Sequence, residues 1–187
     1  MPFRKKLCVF ALLIGAAFPS PAFADSFSHK EASFASGTGN ILYLALGTAL
    51  PLLEDGAQGK THALRTLDAF GTSVIFSQLL KAVTREKRPD ASTRDSFPSG
   101  HATAAFAIAT MESHYHPRQA ALWYGGAVLI GASRVQLHRH FTHDVLAGAA
   151  LGYFTSRWEI QRRRGLILSP FIPASDSGMG LQLSCAF

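Results

Sequence analysis

The sequence predicts an all-α fold, an antiparallel bundle of about five helices with a small β-hairpin at its C-terminal end. Three observations carry this expectation. Apolar residues recur at helical spacing in several segments. Short polar breaks holding Gly or Pro separate those segments, so antiparallel neighbours are the expected packing. Only the last residues alternate apolar and polar with the period of two that a strand requires. At 187 residues the chain is long enough to bury a core in one domain and leaves no room for a second of similar size.

Residues 1–24 read as a secretory leader. Arg4, Lys5 and Lys6 form the basic start, Leu7 to Phe18 the apolar middle and Ala22-Phe23-Ala24 the small-residue cleavage site. The apolar run is nearer to leader length than to the ~20 residues of a span, and a retained membrane anchor is the alternative. A mature chain then begins at Asp25, with the helical domain over residues 25–164 and a tail or hairpin over residues 165–187. This places the protein in the periplasm or at the outer face of the inner membrane. Of the formal net charge of +6, three units come from Arg4, Lys5 and Lys6, leaving +3 on the mature chain. So modest an excess suits an anionic substrate or an anionic lipid surface. With no zinc-finger spacing, ribonucleoprotein motif or long basic run, a nucleic-acid partner is not expected. Cys8 leaves with the leader and Cys185 stands alone, so no intramolecular disulfide is possible and no Cys-based metal site or nucleophile is suggested.

Asp25 to Thr38 is polar and Ser-rich and reads as a loosely ordered arm. Ile41 to Leu53 is an apolar run closed by Pro51 and Glu54-Asp55, about 20 Å long as a helix. It is too short for a ~30 Å hydrocarbon core and reads as a buried helix. Gly56 to His62 reads as a loop. From Leu67 to Val83, Ile75, Phe76, Leu79, Leu80 and Val83 recur on one helical face, while Ser73, Ser77 and Lys81 lie four apart on another. Thr84 to Phe97 is dense in Arg, Lys, Asp and Ser, and Pro89 pushes Arg88 toward extended geometry. Ser99 is the N-cap of a helix running to about Ser113, and His114 to Arg118, with Pro117, turns the chain. Gln119 to Ser133 returns. Asp144 to Arg157 makes a helix whose Ala147, Gly148, Ala149, Ala150 and Gly152 let neighbours approach closely. Leu166 to Ile172 pairs with the alternating Leu181 to Phe187 across a turn at Pro173 to Gly178.

This order brings three polar clusters to one end of the bundle: Lys81 with Arg88-Pro89, Pro98-Ser99-Gly100-His101, and Ser133-Arg134 with His140 and Asp144. A transferring phosphoryl group needs its spread negative charge held by preorganised donors. Lys81, Arg88 and Arg134 are cations, and the two arginines can grip phosphate oxygens bidentately. Ser99 and Gly100 start a helix whose unpaired N–H groups and dipole favour an anion. If the last helix begins at or before His140, Asp144 shares its face and can bond one ring nitrogen. The other nitrogen is then free to attack phosphorus. His101 is placed to protonate the departing oxygen. His62, His114 and His116 read as surface histidines. His138, His140 and His143 could alternatively form a metal cluster, although their spacing of two and three does not match the i, i+4 of paired helical ligands.

Lys81, six residues, Arg88-Pro89; Pro98-Ser99-Gly100-His101; and Ser133-Arg134, five residues, His140, three residues, Asp144 together resemble the type 2 phosphatidic acid phosphatase superfamily, which also contains bacterial acid phosphatases and vanadium haloperoxidases. The resemblance spans about the middle third of the chain. It implies that Lys81, Arg88, Ser99, Gly100 and Arg134 bind phosphate, that His101 is the acid, and that His140, oriented by Asp144, carries a phosphohistidine. It also implies chemistry without a metal or other cofactor. Fully membrane-embedded members usually have six spans, and the apolar runs here are too few and too short for that. The substrate is therefore read as a lipid phosphate or diphosphate met at a membrane surface, with a soluble nonspecific acid phosphatase as the alternative. A vanadate-dependent haloperoxidase would use the same anion pocket. Arg157 with Arg162, Arg163 and Arg164, beside Trp158, is the candidate contact with anionic headgroups.

Overall fold

Ser28 opens the first helix in the computed structural model, which describes residues 28–162, 168–171 and 180–183. Its hydroxyl accepts from the Glu31 N–H at 3.3 Å, and the Glu31 carboxylate accepts from the Ser28 N–H at 2.9 Å. This reciprocal cap fixes α1 (His29–Ser36). The expected loose arm at Asp25 to Thr38 is therefore corrected from Ser28 onward: a polar, Ser-rich composition here caps a helix instead of loosening the chain. The leader at residues 1–24 and the mature start at Asp25 lie outside the described residues, as do Arg163 and Arg164.

Five longer helices follow: α2 (Thr38–Glu54), α3 (Gly59–Thr84), α4 (Gly100–Tyr115), α5 (Ala120–Gln136) and α6 (Thr142–Gln161), with 3₁₀ turns at Gly56–Gln58 and Pro117–Gln119. The last four arrive at and leave one end of the bundle in the expected alternation. The loop expected at Gly56 to His62 is instead a 3₁₀ turn followed by the first turn of α3. Two short strands, β1 (Leu168–Phe171) and β2 (Gly180–Leu183), pair antiparallel with Leu168 opposite Leu183 and Phe171 opposite Gly180. The rest of the predicted tail lies outside the described residues.

α4 is the central helix, packed against α2, α3, α5 and α6. Ala102 to Glu112 are all buried, as expected of a helix without a solvent face. Ala105, Phe106, Ala109, Ala127, Ile130 and Ala149 form the core cluster. The small-residue stripe of α6 lets it close on α4 as predicted. A Cβ on Gly152 would sit 2.2 Å from the Thr103 carbonyl oxygen, and one on Gly148 2.5 Å from that of Ser99.

The outer helices face the opposite way to the usual amphipathic pattern. On α3, Thr72, Ser73, Ser77 and Lys81 are buried, whereas Leu79 and Val83 are 58% and 81% exposed. On α2, Asn40, Gly47 and Pro51 are buried, while Ile41, Leu46 and Leu53 point outward. The expectation of a buried α2 is thus corrected. Its periodicity marked a face but not its direction, and close approach selects small side chains for the inner face: a Cβ on Gly47 would meet Ile108 at 2.2 Å. Several small hydroxyls inside bond to carbonyls, as Ser73 does to Phe70 at 2.8 Å and Ser156 to Ala107 at 3.1 Å. Among the described residues no helix is long and apolar enough to cross a membrane.

At the end remote from the three clusters, Asp55, Glu112, His62 and His116 meet. His62 Nδ1 lies 2.6 Å from Asp55 Oδ2, and its ring stacks on Tyr115 at 3.9 Å. His116 Nε2 lies 3.5 Å from both Asp55 Oδ1 and Glu112 Oε2. His62 and His116 are therefore not surface histidines, because the helix ends that carry them close on the half-buried Asp55 and the buried Glu112; His114 is exposed as expected. Burial, then Asp55 and Glu54, push Glu112 from 4.5 up to about 8. Between those values the folded chain holds a proton that the unfolded chain releases, so this group makes stability fall as pH rises. Glu112→Gln removes that slope. We expect its melting temperature to exceed that of the wild type by about 5 °C or more at pH 8 and to converge with it near pH 4.5, and equal differences at both pH values would refute the assignment.

Candidate active site

Backbone bonds bring the three clusters together. The Ser99 N–H donates to the Asp144 carbonyl at 2.9 Å, tying the start of α4 to the start of α6. At the end of α3, Arg85 takes a left-handed conformation (φ 48°), and its N–H bonds back to the Lys81 carbonyl at 3.1 Å. Lys81, 8% exposed, sends its ammonium to the Asp95 carbonyl and, at 3.4 Å, to that of Ser96. The residues between the first two clusters are thus folded back onto the lysine.

α6 begins at Thr142, after His140, so the condition under which His140 and Asp144 were expected to share a helical face is not met. A tight turn achieves the contact instead. The N–H groups of Arg139 and His140 both bond to the Arg134 carbonyl, at 3.0 and 3.2 Å. The buried His140 ring then presents Nδ1 to Asp144 Oδ2 at 3.5 Å. The same carboxylate oxygen accepts from Ser96 Oγ at 2.5 Å and from the Phe141 N–H at 2.9 Å, which fixes its orientation. Burial, followed by the charges of Lys81, Arg134 and Arg88, lowers His140 to about 4, against the opposing pull of Asp144. The imidazole is therefore neutral at pH 7.

His101 is the second residue of α4. Burial and then Arg134 lower it to about 4, opposed by a hydrogen bond with the Ser36 backbone. Arg134 reaches the Ser36 hydroxyl through Nη1. Burial brings its guanidinium down to about 10, so it remains charged. All three cations lower both histidines, as groups around one pocket do. Arg88 meets them with less than its full fork. Its Nε and Nη2 donate to the two Asp95 oxygens at 2.9 Å each. The expected bidentate grip on phosphate along that edge is therefore taken by Asp95, leaving the Nη1 corner.

Ser99 is the N-cap of α4, with its hydroxyl 3.5 Å from the Ala102 N–H. A Cβ on Gly100 would rest at 3.8 Å from Ser77 Oγ and 3.9 Å from Lys81 Cε. The chain itself thus has room for a side chain there, and the open space faces the lysine. The alternative cluster of His138, His140 and His143 does not form. His138 is exposed at φ 53° while His140 is buried, and His143 Nε2 turns to Glu86 Oε1 at 2.8 Å and Asp144 Oδ1 at 3.1 Å. Among the described residues, Glu86, His143 and Asp144 are the trio whose ligand atoms converge within 4.8 Å.

Three supporting residues were not anticipated from sequence: Ser36, Asp95 and Ser96. A signal existed for Ser36, since Ser28 and Glu31 are the two ends of a capping box that announces α1. Asp95 and Ser96 stand in a loop with no periodicity to single them out.

A sequence model of the PAP2 superfamily matches residues 62–166. The chain is 41% identical over 70 residues to the lipid A 1-phosphatase of Porphyromonas gingivalis, covering 35% of this chain and 16% of that protein. It is 33% identical over 125 residues to phosphatidylglycerophosphatase B of Bacillus subtilis, covering 55% and 62%. The chain thus spans less than two thirds of the length of these curated relatives. The crystal structure of Aquifex aeolicus LpxE superposes with a TM-score of 0.58 at 26% identity, over 83% of this chain and 94% of that one.

Proposed function

The chain belongs to the PAP2 superfamily, and on that premise we propose that it is a phosphatase acting on a membrane lipid phosphate or diphosphate through a phosphohistidine on His140, without a metal ion. The observation that carries this reading is the buried, neutral His140 held against Asp144 and faced by Lys81, Arg88 and Arg134. Phosphate oxygens seat against those cations and the N–H groups that open α4. His140 Nε2 attacks phosphorus as the bond to the leaving oxygen breaks, and His101 gives that oxygen its proton. Water then loses a proton to His101 and attacks phosphorus. The P–N bond breaks, releasing phosphate and restoring a neutral His140.

Two observations support a lipid as the remainder of the substrate. The relatives include a lipid A 1-phosphatase and a phosphatidylglycerophosphatase, and α2 and α3 turn leucines outward, forming an apolar exterior suited to a lipid surface. Together with the leader read at residues 1–24, they support the periplasm or the outer face of the inner membrane as the enzyme's location. The test is a panel of phosphatidate, phosphatidylglycerol phosphate, isoprenyl diphosphate and small soluble esters, with membrane flotation alongside. We expect preferred turnover of lipid substrates by protein that floats. Turnover of the soluble esters alone by protein that never floats would overturn the lipid assignment and leave the phosphoryl chemistry standing.

A further inference from the structure

A groove of about 480 Å³ lies between α1, α2 and α5, walled by Phe34, Ala35, Tyr43, Gly126, Leu129 and Ile130. We propose that it holds the hydrocarbon chain of the substrate whose phosphate is seated at His140, an inference that rests on the lipid reading above. Its volume falls within the range of roughly 300–1,000 Å³ usual for small-molecule sites, and apart from the exposed Lys30 and Glu31 its principal walls are carbon-rich.

Continuity with the phosphate site selects this occupant. Ala35 immediately precedes Ser36, which bonds to Arg134 through its hydroxyl and to His101 through its backbone. On the facing helix, Ile130 stands one turn before Arg134. The groove thus begins one residue from Ser36 on α1 and one turn from Arg134 on α5, and this is the end at which a chain attached to a phosphate held by Arg134 would enter. The back wall is set without a ligand. The Tyr43 hydroxyl donates to the Trp123 carbonyl at 2.7 Å, the two rings meet edge-on at 5.3 Å, and a Cβ on Gly126 would fall 2.7 Å from Tyr43 Cε2. A second apolar groove, about 420 Å³ between α2 and α3, has no lining residue within a helical turn of the phosphate site along its own helix.

The test is a series of n-alkyl phosphates of increasing length, assayed on the wild type and on Leu129→Trp and Ala35→Phe, which fill the groove without touching the phosphate site. Each methylene moved from water into the groove is worth about fourfold in binding. In the wild type kcat/KM should therefore rise steeply with chain length until the groove is full. In both variants the rise should flatten by at least about tenfold at the long end, with nitrophenyl phosphate turned over as before. Variants that keep the wild-type length dependence overturn the groove and leave the lipid reading intact. A wild type indifferent to chain length overturns the lipid reading and the groove with it. Should both variants lose nitrophenyl phosphate turnover, an alkyl phosphate bearing a terminal diazirine decides on the wild type: crosslinks in α1, α2 or α5 support the groove and crosslinks elsewhere overturn it.

Discussion

His140→Ala loses turnover by on the order of 10⁴-fold or more while the bundle stays folded. The size of the loss follows from the proposed role. Binding and electrostatic stabilisation by Lys81, Arg88, Arg134 and the start of α4 survive the substitution, but the imidazole that forms the P–N bond in the proposed mechanism is gone. The fold survives because the turn at 137–140 is held by main-chain bonds to the Arg134 and Ser133 carbonyls, while the His140 ring meets Asp144 only at 3.5 Å. The Asp144 carboxylate keeps Ser96 and the Phe141 N–H. Phosphorus-labelled substrate, quenched in alkali because the phosphoramidate bond is acid-labile, should mark the wild type and leave the variant unlabelled. Vanadate, which takes a pentacoordinate geometry like the transferring phosphoryl group, should inhibit the wild type. Covalent label on the variant would remove His140 from the nucleophile's role.

The architecture was legible where local chemistry and spacing agree. Ser99 caps a helix, Pro117 stops one, and the Gly148 to Gly152 stripe demands a close neighbour, so the helix order and the gathering of three clusters at one end could be read from the chain. Direction was not legible. Ser73, Ser77 and Lys81 recur with the same period as Ile75, Leu79 and Val83, and periodicity is silent about which stripe faces inward. Here α4 is so rich in alanine that its neighbours approach to backbone distance, and small hydroxyls fit that gap where leucines do not.

Within the proposed site, the gathering of the cations and the two histidines at one end of the bundle was legible because residue types and spacing mark them out. Their supports were not. Asp95 occupies the fork of Arg88, Ser96 fixes the Asp144 oxygen, and Ser36 bridges Arg134 and His101. Each is an ordinary residue on its own, and each matters because of a partner brought to it by tertiary folding. His140 shows the same limit from the other side. The four-residue spacing to Asp144 suggested a shared helical turn, yet a non-helical turn anchored on the Arg134 carbonyl makes the contact.

His101→Ala should separate leaving groups. If His101 protonates the departing oxygen, its loss slows alkyl phosphates by on the order of 10²–10⁴-fold. Nitrophenyl phosphate, whose phenolate departs without help, should slow far less. The pH dependence carries a second signature. In the free enzyme burial, then Arg134, lowers His101 to about 4, and the form that acts as acid is the protonated one. Its fraction falls about tenfold per pH unit above that value, so wild-type kcat/KM on alkyl esters should decline toward neutrality. His140, also near 4, must be neutral to attack, which limits the rate on the acid side. The ester's own ionisation, near pH ~6, is common to both proteins and cancels in their ratio. The ratio of wild type to His101→Ala on an alkyl phosphate should therefore be largest in acid and shrink as pH rises above about 4. On nitrophenyl phosphate it should stay small and nearly flat. A ratio that is equal for good and poor leaving groups and independent of pH would make His101 a binding residue and assign the proton to another donor.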